Sequence, residues 1–493
     1  MSSATSEQEA KFRVSDTFAV PFLGGHGVRQ VLGDARTLDA TYWDTPDMRL
    51  ARRGHTLRYR ASDDDSENKW TLKLGGRGRS SLLQRREVDG DGEAESPPKE
   101  LVDALTGVVG KESLVAVARM RTNRDKYGID DADGHRLLNV DDDRVQLFRR
   151  GRSVGSFREV ELELADPDQG GREFSRMTRL LRDAGAGKPD PMPKLERVVG
   201  PTAQRERPPT LRRRSTIEQL VSAAVRGGLD QLLLHDPAVR LNLGPEDVHQ
   251  ARVATRRLRA NLRTLRPLLD RRAVDQLREE IGWAGRALGQ VRDLDVLHES
   301  FVSACEDDPN VHGAALIAVV DAERADAYRK LTDAMHTARW QSMLDALDVA
   351  AVLPPLGSNV APTSDARRAA RKLLRKSWRR LERQADEART TTGGWHEVRK
   401  AAKSTRYAAE LLEPLLGTRA KRLAKDLTRI QTQLGKEQDR VIALAWLEDH
   451  RLDGSIAGVA ERLIAHYEGT PDRKPPRWNR RWKRARSTFK KVT

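Results

Sequence analysis

The chain has 493 residues, enough for two or three domains with separate cores, and 33% of them are charged against 5% aromatic. No apolar run reaches membrane-spanning length, and Met1 to Glu7 lacks the basic and apolar regions of a signal peptide, so a membrane-spanning protein is excluded and a cytoplasmic one expected. Cys305 is the single cysteine, which excludes an internal disulfide and a thiolate metal site.

The net charge of +16 is unevenly spread. Residues 1–200 hold 34 basic and 35 acidic residues, a net of −1; the remainder, 89 − 34 = 55 basic and 73 − 35 = 38 acidic, gives +17 for residues 201–493. A balanced first part and a strongly basic second part imply different tasks, the second being attraction of a polyanion.

In chain order, the first element is the strand Glu7-Gln-Glu9-Ala-Lys11-Phe-Arg13-Val. Side chains alternate between the faces of a strand, so Glu7, Glu9, Lys11 and Arg13 share one face and Ala10, Phe12 and Val14 the other. The pattern of like charges two apart recurs at Leu57–Arg60, Lys69–Leu74, Arg85–Val88 and Glu159–Leu164. Pro21 to Leu32 reads as a short helical stretch after a proline start, and Pro98 to Val109 as a helix. Strands are expected near Leu114–Arg121, Asp125–Ile129, Leu137–Arg144 and Gly155–Ala165, then a helix over Gly171–Ala184. Lys188-Pro-Asp-Pro-Met-Pro-Lys194 leads into a last short strand.

Pairing such strands collects acids and bases on one surface, and an antiparallel sheet closed into a barrel would turn that surface inward. The result is a charged tunnel whose carboxylates suit hard divalent cations and whose Lys and Arg suit phosphate oxygens. The E-x-E-x-K start, Tyr42-Trp43-Asp44-Thr45-Pro46, Leu50 to Arg60, Trp70-Thr-Leu-Lys73 and Glu159-Val-Glu161-Leu-Glu163, in this order over about 200 residues, resemble the CYTH domain. That superfamily of triphosphate tunnel metalloenzymes includes inorganic triphosphatases, thiamine triphosphatases and class IV adenylate cyclases. The resemblance implies that Glu7, Glu9, Asp141, Glu159, Glu161 and Glu163 hold one or two Mg²⁺ or Mn²⁺. It implies that Lys11, Arg58, Arg60, Lys73, Arg85, Arg119, Arg121 and Lys194 cradle a triphosphate, with Glu7, Glu9 and Lys11 as the catalytic set. Asp143 stands as an alternative to Asp141, and Arg124 to Arg119 should the register shift by an odd step.

Gly200 to Pro209 reads as part of a linker, residues 201–214, between a tunnel domain over 1–200 and a helical domain over 215–493. From Ser215 onward Leu, Ala and Val recur at three- and four-residue spacing, which is amphipathic helix, with breaks near Leu353–Gly357 and Thr390–Gly394. A weak internal repeat runs through this part. His249-x-x-Arg252-x-x-x-Arg256 is echoed by His396-x-x-Arg399-x-x-x-Lys403, 147 residues later (396 − 249), and Leu288-Gly289 to Asp293 by Leu434-Gly435 to Asp439, 146 later (439 − 293). Two helical bundles related by a pseudo-twofold follow. His249, Arg252, Arg256, Arg259 and Arg263 fall on one helix face, as do His396, Arg399, Lys403 and Arg406, with Lys400 adjoining.

A pair of basic stripes, each headed by a histidine, resembles the CHAD domain, the conserved histidine α-helical domain often found C-terminal to CYTH. The resemblance implies binding of inorganic polyphosphate by these ten residues. The expected fold is therefore an α+β N-terminal domain with a closed antiparallel β-barrel, followed by an all-α domain of two pseudo-twofold related bundles. The expected function is a metal-dependent triphosphatase coupled to a polyphosphate-binding domain, with association with polyphosphate granules as a further expectation. Its alternative is a non-catalytic polyphosphate-binding or granule-targeting protein, and adenylate cyclase or nucleic-acid binding ranks behind both, because the stripes lack interleaved aromatics for base stacking.

Overall fold

The structure is a computed structural model, described here for residues 4–65, 68–76, 83–166, 169–190, 192–200, 208–307, 313–390, 394–450, 457–467 and 478–492. It divides into two units, Met1–Glu206 with Asp236–Leu243, and Arg207–His235 with Gly244–Thr493. The first half of the expected linker, residues 201–207, lies outside the described residues.

The first unit is built on strands β1 (Ala4–Val14), β2 (Arg29–Leu32), β3 (Arg36–Asp44), β4 (Thr56–Ser62), β5 (Lys69–Leu74), β6 (Leu83–Gly90), β7 (Val115–Asp130), β8 (Arg136–Arg149) and β9 (Arg152–Leu164). Helices α1 (Arg49–Arg53), α2 (Lys99–Val109), α3 (Gly171–Leu181) and α4 (Lys194–Val199) complete it. The strands form one curled antiparallel sheet in the order β2-β7-β3-β4-β5-β6-β1-β9-β8, and β7 pairs with β8 as well. Alternation then decides what each face carries. On β1, β8 and β9 the even-numbered Ala10, Phe12, Leu138, Val140, Val160 and Leu162 pack under Phe174, Met177 and Leu181 of α3. The odd-numbered residues of the same strands face the other way, and toward the end of β8 they change character from Asp141 and Asp143 to Val145 and Leu147. There the apolar side chains Leu195, Val198 and Val199 of α4 cover them.

Three sequence expectations are corrected. Pro21 to Leu32 is not helical: Gly25, His26 and Gly27 all have positive φ, which interrupts any helix, and Arg29–Leu32 pairs with Tyr127–Asp130 as β2. The two strands expected over Leu114–Ile129 are one, because β7 is hydrogen-bonded to β3 over Val115–Arg124 and to β8 over Arg119–Asp130, so no break falls at the polar Thr122-Asn123-Arg124. The last short strand is instead helix α4, entered through the extended Pro193 and held by its apolar face.

The second unit is helical: α5 (Ile217–Arg240), α6 (Pro245–Leu265), α7 (Arg271–Asp307), α8 (Ala314–Met335), α9 (Ala338–Val352), α10 (Ala366–Thr390), α11 (Trp395–Leu416), α12 (Thr418–His450), α13 (Ala457–Tyr467) and α14 (Trp478–Val492). The expected breaks fall between α9 and α10 and between α10 and α11. Tryptophans fill the interior: Trp340, Trp378 and Trp478 are almost fully buried, and Trp482 stacks between Trp378 and Trp478 with ring centroids 5.3 and 5.4 Å away.

Candidate functional site

On the sheet face opposite α3, strand register sets ions against ions. Glu9 pairs with Glu163 and Lys11 with Glu161 across β1 and β9, Asp141 with Glu161 and Asp143 with Glu159 across β8 and β9, and Arg124 with Asp143 across β7 and β8. Glu9, Lys11, Arg124, Asp141, Glu161 and Glu163 line a cavity of about 210 Å³ together with Arg58 and Arg60 of β4, Lys73 of β5, Glu87 of β6 and Lys194 of α4, and Asp143 and Glu159 are fully buried beside it. Lys11 Nζ lies 2.6 Å from Glu161 and 2.9 Å from Glu9. Arg124 forks onto Asp143 with two bonds of 2.7 Å and reaches Asp141 at 2.5 Å and Glu161 at 3.3 Å. Lys194 Nζ sits between Asp143, Glu159 and Glu161 at 2.6, 3.1 and 3.2 Å.

Burial and charge pull these groups apart. Burial alone would raise the Glu161 carboxyl, but Lys11, Lys194 and Arg124 outweigh it and hold it well below the carboxylate range. Burial also opposes the charge on Lys11 and Lys194, and the surrounding carboxylates more than offset it, so both ammonium groups are held above their ordinary value. Glu159 goes the other way: burial, aided by neighbouring Glu161, lifts it to about 7 against the pull of Lys194.

Asp143, Glu159 and Glu161 offer carboxylate oxygens all within 4.8 Å of one another. Glu159 Oε2 and Asp141 Oδ1 are buried and accept no hydrogen bond among the described residues, while Glu159 Oε1 meets the Lys194 ammonium at 3.1 Å. Hard oxygen donors left unsatisfied in this way fit a divalent cation. The opposite need is met at Arg58, which is 8% exposed and whose buried Nε has no acceptor among the described residues.

The cavity thus brings together Glu9, Lys11, Arg58, Arg60, Lys73, Asp141, Glu161, Glu163 and Lys194 from the sequence-derived set, with Glu159 beside Lys194 at its edge. The side chains of Glu7 and Arg85 lie outside the described residues. Arg119 and Arg121 are corrected: they are exposed on the other face of β7, both paired to Asp39, because only the even-numbered Arg124 shares a face with the ionic cluster. Asp143 joins Asp141 and does not replace it. Glu87, paired with Lys73, was missed although Arg85-x-Glu87 carries the same two-residue period as the other strands.

In the second unit, α6 and α11 turn their basic stripes toward one groove of about 580 Å³. Arg252, Arg256, Arg259 and Arg263 line it from α6, and Lys400 and Lys403 from α11; Arg278 and Arg286 of α7 and Arg380 of α10 add three cations that no single-helix pattern reveals. Glu397 is its one acidic lining residue among the described residues. The fit of α7 against α6 is tight at Gly282 and Gly285, where a β-carbon would stand 3.2 and 3.3 Å from Arg259 and Thr255, and looser at Gly289, where it would stand 3.6 Å from Arg252. Burial and the neighbouring Arg256, Arg399, Arg252 and Arg406 lower Lys403 to about 8, and burial followed by Arg278 lowers the Arg259 and Arg263 guanidinium groups. Tyr407 lies beneath the groove, accepting a 2.8 Å hydrogen bond from Arg256 and carrying the Arg406 guanidinium 4.5 Å over its ring. His249 and His396 do not line the groove; His249 is lowered by burial and by Arg292, and His396 is exposed. Arg399 and Arg406 stand behind the lining residues, Arg406 bound to Glu410 at 2.6 Å.

Residues 6–190 match the CYTH domain family and residues 223–448 the CHAD domain family. Uncharacterized proteins of two Mycobacterium tuberculosis strains, CDC 1551 / Oshkosh and ATCC 25618 / H37Rv, are each 30% identical over 490 residues, covering 92% of this chain and 90% of theirs. Among solved structures, the CHAD domain from the plant Ricinus communis has a TM-score of 0.46 at 20% identity, covering 58% of this chain and 97% of that one. A candidate adenylyl cyclase from Hippeastrum with a dominant triphosphatase activity has a TM-score of 0.27 at 14% identity, covering 40% and 98%. The chain belongs to the family in which a CYTH domain is followed by a CHAD domain.

Proposed function

We propose that residues 1–200 form a closed tunnel that hydrolyses inorganic triphosphate or a related triphosphate, and that residues 215–493, joined through a linker over 201–214, bind inorganic polyphosphate. Closure of the tunnel is supported by the pairing that runs from β3 through β4, β5, β6, β1, β9 and β8 to β7 and returns to β3. The observation that carries the catalytic reading is that one small cavity is lined both by Asp141, with a buried carboxylate oxygen that accepts no hydrogen bond among the described residues, and by Arg58, with a buried Nε that donates none. One calls for a cation and the other for an anion.

Arg58, Arg60 and Lys73 would bind the nonbridging oxygens of the phosphate chain, and Lys11 and Lys194 would keep their negative partners from repelling it. Asp143, Glu159 and Glu161, with Glu9 and Asp141 beside them, would hold Mg²⁺ or Mn²⁺, which neutralises charge on the transferring phosphoryl group. Water adds to the terminal phosphorus as its bridging P–O bond breaks, giving phosphate and diphosphate. The placement of Lys194 Nζ among the same carboxylates favours one second reading, a cavity that holds anions without turnover.

For the helical part, the facing stripes of α6 and α11, each leading into a long helix, support the pseudo-twofold arrangement and a polyanion held between its halves. Such binding is consistent with association with polyphosphate granules. The decisive assay is phosphate release from tripolyphosphate, thiamine triphosphate and ATP with Mg²⁺ or Mn²⁺, in the full chain and in Arg58→Ala and Glu161→Gln. Release by the parent that falls roughly 10²-fold or more in both variants is expected. No metal-dependent release on any substrate, with polyphosphate still bound, would leave the non-catalytic reading standing.

A further inference from the structure

Between Ala366 and Leu381, α10 carries eight basic residues and no acidic one. Arg368, Arg371, Lys372, Lys376, Arg379 and Arg380 are exposed. At 100° per residue they fall on one continuous band about the helix. One edge of the band is Arg380, which lines the α6–α11 groove. The opposite edge is marked by Trp378 and Glu382: Trp378 stacks on Trp482 and Phe489 of α14, and Glu382 pairs with Arg486 of α14 at 3.3 Å. Helix α14 itself holds seven basic residues and no acidic one. Basic residues therefore continue from the groove, over α10, to α14, with Glu382 the one carboxylate named at the seam between the two helices.

Like charges so close together on one helix oppose its formation and gain nothing from packing. They are compensated when an extended polyanion lies over them. The groove extends only about 16 Å along α6 from Arg252 to Arg263, so it accommodates a short run of phosphates, whereas the α10 band adds about 18 Å from Arg380 back to Arg368. We infer that the exposed face of α10, continued by α14, is a track that receives the part of a long polyphosphate chain emerging from the groove, so that this unit prefers long chains to short ones. The inference rests on the reading of the groove as a polyphosphate site.

Two other occupants fit less well. Among the described residues of α10 and α14 no large apolar side chain is strongly exposed to enter a bilayer. The aromatic rings of α14 are engaged in the stack on Trp378 and Trp395 and offer no platform to bases.

The test uses the full chain, in EDTA to prevent turnover, with three probes: tripolyphosphate, long-chain polyphosphate and duplex DNA, each titrated over a salt series. The track variant is Arg368→Gln/Arg371→Gln/Lys372→Gln/Arg379→Gln, exposed positions where glutamine keeps helix propensity; its helicity is checked by circular dichroism. The groove variant is Arg256→Gln/Lys403→Gln, which defines the groove's share of each affinity. The track variant should bind long chains roughly tenfold or more weakly at 0.1 M salt, and the slope of log affinity against log salt should fall by about one for each phosphate it no longer neutralises. Its tripolyphosphate affinity should stay within about twofold of the parent. Unchanged long-chain affinity, or an equal loss for both chain lengths, overturns the track, and weaker binding of both probes by the groove variant then leaves the groove reading intact. DNA bound more tightly than long-chain polyphosphate, and no longer bound by the track variant, assigns the surface to nucleic acid and overturns it as well. A parent chain that binds neither polyphosphate overturns the groove reading and the track together.

Discussion

Asp44 ends β3 and holds the entry to α1, its carboxylate accepting hydrogen bonds from the backbone N–H of Thr45, Leu50 and Ala51 at 2.7, 2.9 and 2.9 Å. Burial nevertheless raises this carboxyl to about 6, because three neutral donors do not replace the water it has lost. A folded-state value above the ordinary one means that the native protein binds the proton more tightly than the unfolded chain does. The stability this lends is complete below about pH 4 and is lost as pH rises through 6. The advantage of the parent over Asp44→Asn should therefore shrink by roughly 2–3 kcal/mol between pH 4 and pH 7.5, read from urea unfolding of the first unit. A difference that stays constant over this range would contradict the burial argument. At this scale the sequence was informative where charge sat on one face only. Lys11 and Glu161 were legible from their two-residue period, whereas β7 carries arginines on both faces, and only its register against Asp143 separates Arg124 from Arg119 and Arg121.

On α11, Lys403 is half-buried among arginines, and its pKa near 8 lies below the ordinary lysine value. Stability from a depressed lysine is present above its unfolded value and lost as pH falls through 8, so at pH 7 the native helix carries the full penalty of a charged Lys403. Lys403→Gln should raise the thermal stability of the second unit at pH 7 by about 1–2 kcal/mol, allowing for solvent screening, and the gain should vanish above about pH 10. The same substitution should weaken polyphosphate binding, since it removes a cation that only an anionic ligand relieves. Stabilisation without weaker binding would separate Lys403 from the ligand. Elements were read unevenly for physical reasons. Amphipathic periods marked α6 and α11, but the cations contributed by α7 and α10 lie on helices whose own patterns look like solvated faces; their adjacency exists only after packing. Helix α4 was missed because the prolines before it disguise six residues whose conformation is set by the apolar end of the sheet.

Across the whole chain, charge is divided between one nearly neutral part and one strongly basic part. The cavity ions are buried and paired, so added salt reaches them poorly, while the proposed polyphosphate surface of the groove and α10 is open to solvent. Raising salt from 0.05 to 0.2 M should therefore weaken long-polyphosphate binding on the order of 10³-fold or more, if it neutralises several phosphates. Phosphate release at saturating tripolyphosphate should change by only about twofold over the same range. Parallel losses in both readouts would mean that one electrostatic surface serves both units. The order of the two domains was legible from sequence because each carries several motifs in fixed succession; that β7 is one long strand with partners along both edges was not, since the polar Thr122-Asn123-Arg124 reads as a break.

The three glycines of α7 bear on more than packing. Gly282 and Gly285 leave room for the Arg259 guanidinium and the Thr255 hydroxyl of α6, at positions that carry no charge of their own. The width of the groove is consequently set in part by residues that supply none of its cations. A methyl group at Gly282 would crowd the Arg259 guanidinium outward and narrow the groove while leaving its electrostatics intact; one at Gly289 meets Arg252 at ordinary van der Waals distance and would leave the bore unchanged. Crowding at Gly282 therefore acts through one arginine of α6, and the same change at Gly289 is its control.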